Sequence, residues 1–108
     1  MTYSIILHAD FHADTKTLQK RFPKIQTDIK KAISCLLSDP CAGVVVPKYG
    51  GLRKLRLKNS DAKKGKSGGY RLIYRFDPAL SLVELLAIYS KSDSQALTHV
   101  ELTELLQG

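Results

Sequence analysis

The chain has 108 residues, 44% hydrophobic and 25% charged, which fits one folded domain over residues 1–108 and excludes a disordered chain. No apolar run approaches the ~20 residues of a membrane helix, and no basic stretch precedes Tyr3–Leu7, so a cytoplasmic protein without a membrane partner is expected. Seventeen Lys and Arg oppose ten Asp and Glu, a net charge of +7 that turns attention to polyanions.

Tyr3–His8 (YSIILH) reads as a short strand, rich in aromatic and β-branched residues. Asp14 or Thr15 suits the N-cap of a first helix carrying Leu18 and Phe22. Pro23 then suits the first turn of a second helix, with Ile25, Ile29, Ala32, Ile33, Leu36 and Leu37 at helical spacing. Ser38-Asp39-Pro40 stops it. Within the connector 39–51, Val44–Val46 has the composition of a strand, but Pro47 bars it from the centre of a sheet.

LRKLRLK (52–58) puts Lys54, Arg56 and Lys58 on one face of a strand, with Arg53, Leu55 and Leu57 on the other. After a lysine-rich turn, the next strand sets Tyr70, Leu72, Tyr74 and Phe76 against Arg71, Ile73 and Arg75. Leu82–Tyr89 is apolar on both faces except at Glu84, as for a strand inside the sheet between its predecessor and the N-terminal strand. Ser92 and Gln95 have capping-box spacing for a last helix through Leu97, Val100, Leu102, Leu105 and Leu106. The expected fold is α+β, an antiparallel sheet of about four strands in the order β-α-α-β-β-β-α, with the helices on one face.

The charge is local. Nine Lys and Arg lie between Arg53 and Arg75 against Asp61 alone, a net of +8, while the remainder of the chain nets −1. Such a field selects phosphates. Arg53, Lys58, Lys63, Lys64 and Lys66 are candidate RNA contacts, and Tyr49, in a loop, is a candidate base-stacking platform. The bland alternatives are an edge strand charged against aggregation at Lys54 and Arg56, and an Arg71–Glu84 pair across the sheet.

Other chemistries find no support. Gly65-Lys66-Ser67 imitates the end of a phosphate-binding loop, but Ser60 stands where its first glycine belongs. His8, His12 and His99 are scattered, Cys35 and Cys41 form no CxxC pair, and no metal or organic cofactor is expected. Asp77, Glu84 and Asp93 sit on different elements, too dispersed for paired-carboxylate work. Arginine and lysine on adjacent strands can stabilise a phosphorane, and a lysine crowded by cations has a lowered pKa that suits a base.

Three segments, PKYGGLRKLRLK, GKSGGYRLIYRFD and LLAIYSKSD, together resemble the core of the RelE/ParE toxin superfamily, above all its RelE-like and HigB-like members. The likeness spans residues 47–93. It implies a toxin of a toxin–antitoxin system: an mRNA interferase, metal-independent, acting on ribosome-bound message, inhibiting translation and covered by a cognate antitoxin. It also implies catalytic roles for Lys54, Arg56, Arg71 and Lys91. The sequence departs from the family's pattern at Ser92, where an arginine is usual, and near Thr98, where a tyrosine is usual. A ParE-like gyrase inhibitor and a non-catalytic RNA-binding module are the alternatives on the same fold.

Overall fold

The computed structural model describes residues 3–62, 69–93 and 98–107. Its elements are β1 (Ser4–Leu7), α1 (Ala9–Gln19), α2 (Ile25–Ser38), β2 (Val44–Val45), β3 (Leu52–Leu57), β4 (Tyr70–Asp77), β5 (Leu82–Ser90) and α3 (His99–Gln107). No described helix is long and apolar enough to cross a membrane.

The strand order is β1-β5-β4-β3-β2. The expected meander of β3, β4 and β5 is present, and β5 lies inside the sheet as its doubly apolar pattern requires. Two features correct the expected sheet. It has five strands, because Val44 and Val45 pair with Lys54 and Arg53 at the edge just before Pro47. It is also mixed, since β1 runs parallel to β5. A period-two pattern reads alike in either direction, so alternation carries no information on the sense of an added edge strand.

The helices occupy both faces rather than one. Phe11 and Leu18 of α1 and Ile25, Ile29, Ala32 and Leu36 of α2 pack on Tyr70, Leu72, Tyr74, Val83, Leu85 and Ile88. Leu102 and Leu105 of α3 pack on Leu52, Ile73, Leu86 and Ala87, the other face. A β-bulge makes room for that contact. Ile73 pairs with Ala87 but Tyr74 with Leu85, so Leu86 is an extra residue and both Leu86 and Ala87 turn toward α3.

The α1 start differs from the capping signal. α1 begins at Ala9, before Asp14 and Thr15, because burial of Phe11, Thr15 and Leu18 at i, i+4 and i+7 anchors the earlier turn. Thr15 donates from inside the helix to the Phe11 carbonyl (2.9 Å). Phe22 and Pro23 lie between the helices. The described α3 starts at His99, while Gln95 and Leu97 of the expected helix start lie outside the described residues. Thr98 and Glu101 form the reciprocal box, Thr98 N–H donating to Glu101 (3.0 Å) and Glu101 N–H to the Thr98 hydroxyl (3.2 Å).

Candidate nucleic-acid interface

The basic row sits on the sheet face that α3 only partly covers. Register sets Arg56 directly opposite Arg71, Lys54 opposite Ile73, and Arg71 opposite Tyr89 on its other flank. α3 shields the apolar patch of Leu52, Ile73, Leu86 and Ala87 and leaves Arg56 exposed and Lys54 half-exposed. Lys58 is exposed just past β3, and Lys91 just past β5.

Arg71 is only 7% exposed. Its Nη1 donates to the Tyr70 carbonyl (3.1 Å), and among the described residues it has no ion-pair partner. The suspected Arg71–Glu84 pair is not made. Glu84 instead lies across from Arg75, which donates to it from Nε (2.6 Å) and pairs through Nη2 (2.5 Å). Asp93 is held by Arg21, and Asp14 accepts the Ile88 N–H (3.1 Å) at the β5 edge beyond β1. Burial raises the Asp14 pKa above the usual carboxylate value, the Ile88 bond opposes this, and Asp10 and Glu101 add to it. Glu84 and Asp93 are thus paired with Arg75 and Arg21, while Arg56 and Arg71 face one another. Like charges directly opposite on one sheet face are unfavourable, and an anion between them relieves the repulsion.

The main chain fixes the two ends of this row together. Gly69 accepts the Lys91 N–H (3.0 Å), and Asp93 N–H closes a turn on the Ser90 carbonyl (3.0 Å). The Ser90 and Ser92 hydroxyls bond each other (2.8 Å), and Arg21 clamps Asp93 with two hydrogen bonds while lying over the Phe22 ring. Ser92 therefore tightens the turn after β5 that carries Lys91. Breaking the clamp with Asp93→Asn is expected to leave stability almost unchanged, because the pair is exposed. If the turn positions Lys91, function at this face drops roughly threefold to tenfold. The charge-reversed pair Arg21→Asp with Asp93→Arg restores it, as read by thermal melting beside an activity assay.

Other sequence candidates fall elsewhere. Arg53 lies on the α1/α2 side, donating to the Gly43 (2.8 Å) and Cys41 (3.3 Å) carbonyls. It braces the turn that Tyr74 also holds, by donating to Pro40 (2.7 Å) and accepting from Gly43 N–H (2.9 Å). Tyr49 is not a free platform, since its hydroxyl contacts His99 and its ring packs beside α3. Lys63, Lys64 and Lys66 lie outside the described residues. Among the described residues, no group of three His, Cys, Asp or Glu side chains is arranged to hold a metal ion. Sequence reasoning missed Tyr89, which it counted only as strand, and the Arg21–Asp93 clamp, which joins residues 72 apart.

A helix pair on one side of a meander and a short helix on the other define an α+β domain with a basic row at the uncovered end of its sheet. Among solved structures, the chain is similar to a double arginine-to-alanine mutant of the toxin RelE from E. coli in the free state. The TM-score is 0.60 at 20% identity, over 88% of this chain and 90% of that one. It is likewise similar to a chain of the toxin–antitoxin complex RelBE2 from Mycobacterium tuberculosis, with a TM-score of 0.58 at 20% identity, over 83% of this chain and 99% of that one. At this identity the likeness establishes the fold. No family model matches the sequence.

Proposed function

We propose that this chain is the toxin of a toxin–antitoxin system and cleaves ribosome-bound mRNA without a metal, its site centred on Arg71 with Lys54, Arg56 and Lys91. The observation that carries the reading is the buried Arg71 guanidinium, facing Arg56 with no carboxylate partner among the described residues. A buried cation without a counter-ion is costly, and a phosphate supplies one. The 2′-hydroxyl of the message loses its proton, its oxygen bonds to phosphorus, and the bond from phosphorus to the 5′-oxygen breaks as that oxygen gains a proton. A 2′,3′-cyclic phosphate and a 5′-hydroxyl result. Arg71 holds the extra charge on the phosphorane, and Lys54 and Lys91 flank it for the two proton transfers.

A cognate antitoxin masks this face in the resting cell. RelBE2, a toxin–antitoxin complex, supports that partner by analogy of fold. The deciding experiment expresses the chain alone in bacteria and follows protein synthesis and plasmid supercoiling together. Translation is expected to stop, with message cut inside coding regions while supercoiling holds; loss of supercoiling with intact message identifies a gyrase inhibitor instead.

Electrostatic docking makes a separate expectation. Affinity for ribosomes or RNA falls steeply with salt. Neutralising the exposed charges Arg56 and Lys58 makes the log–log salt dependence shallower, by about 0.7 for each single-strand phosphate no longer neutralised. Filter binding across salt concentrations reads it, and a flat salt response overturns the phosphate account.

A further inference from the structure

We infer that Tyr89 is a contact residue of the same site, its phenol donating a hydrogen bond to the phosphate that Arg71 holds. The inference rests on the nuclease reading for what the site does, and on the sheet for where Tyr89 stands.

Tyr89 is the β5 residue in register with Arg71, as Arg56 is on β3. Directly opposed residues share a face with their Cβ atoms about 4.5–5.5 Å apart, so the three side chains rise together from adjacent strands. One guanidinium, flanked by a second guanidinium and a phenol, makes a row of donors and no acceptor but the phenol oxygen. That composition fits an anion.

The other tyrosines are occupied or remote. Tyr74 bonds Pro40 and Gly43, Tyr49 bonds His99, Tyr70 is buried under α2, and Tyr3 packs against Phe76 at the far edge. Thr98 is engaged in the α3 capping box with Glu101. Tyr89 is half-buried, packed at its base against the α3 cluster, and no described residue takes its hydroxyl.

Its protonation suits a donor. Burial raises the phenol pKa above its ordinary value, Arg71 draws it down, and Glu101 pushes it up. The net shift is upward, so the hydroxyl keeps its proton throughout the neutral range and does not act as the base. Tyr89 also lines, with Asp10, Asp14, Glu101 and Glu104, an acidic hollow of about 380 Å³. Phosphate is repelled there and drawn toward Arg71.

The test is Tyr89→Phe, which keeps the ring and its packing and removes one oxygen. Single-turnover cleavage on programmed ribosomes is expected to fall about tenfold to hundredfold, below the loss of a main oxyanion donor, with melting temperature unchanged and the ribosome concentration for half-maximal rate altered less than threefold. Tyr89→Leu falls no further if the hydroxyl, not the ring, is what counts. A parallel cycle measures affinity for a 2′-O-methyl RNA oligonucleotide with Tyr89→Phe, Arg71→Ala and both. Tyr89→Phe weakens binding in the Arg71 background and has little effect in Arg71→Ala, because the two donors share one phosphate. A Tyr89→Phe protein that cuts at the parent rate, or affinities that add, overturns the inference. A parent protein that cuts no message overturns the nuclease reading instead, and the binding cycle then decides Tyr89 by itself.

Discussion

Arg71→Ala is expected to lower single-turnover cleavage of ribosome-bound message by about two to three orders of magnitude, the scale of losing one preorganised donor to an oxyanion. The side chain has one described hydrogen bond, to its neighbour's carbonyl, and a like charge across the sheet. Truncation breaks no ion pair among the described residues and relieves the repulsion with Arg56. Stability is therefore expected to hold or rise slightly, which separates this residue from Arg75, whose removal strands Glu84. Arg71→Lys should rescue little, because an ammonium cannot hold two phosphate oxygens in one plane as the guanidinium fork does. Rate constants on programmed ribosomes, with thermal melting of each variant, check all three statements. A folded Arg71→Ala protein that still cuts at near the parent rate removes Arg71 from the site and moves the reading toward gyrase inhibition.

Local pattern was a good guide wherever one face of an element decides its fate. Alternation at Tyr70–Tyr74 separated one sheet face, which packs under α1 and α2, from the face of Arg71 and Ile73, and the doubly apolar Leu82–Tyr89 marked an interior strand. The same alternation set Lys54 and Arg56 apart from Arg53, and the structure keeps that division, with Arg53 bracing the turn at Gly43. What escaped the pattern depends on distant partners. The Leu86 bulge is invisible because a run apolar on both faces has no alternation to interrupt. The parallel sense of β1, the placing of α3 on the far face and the Arg21–Asp93 clamp are tertiary choices among locally equivalent options. The Thr98–Glu101 box was legible after all. Thr98 and Glu101 obey the capping rule better than Ser92 and Gln95, since a carboxylate is a stronger acceptor than an amide for the N-terminal N–H.

Gly69→Ala is the second large effect, acting through stability and geometry together. A Cβ at Gly69 falls 2.3 Å from the Leu57 carbonyl oxygen, main chain that no side-chain rotation can move away. The end of β3 must part from the start of β4, costing about 1–3 kcal/mol as overpacking does and lowering the melting temperature by roughly 5–15 °C for a domain of this size. The damage falls on the basic face, because Gly69 immediately precedes the strand carrying Arg71 and accepts the Lys91 N–H. Displacing both ends of the row by even ~1 Å is enough to cost about a hundredfold in rate. Measured well below its own melting transition, the variant is expected to be folded by circular dichroism yet to cut message at about one hundredth of the parent rate. A variant that melts and cuts like the parent shows that the close approach to Leu57 relaxes without disturbing the site, and that the Gly69–Lys91 bond does not hold the row in place.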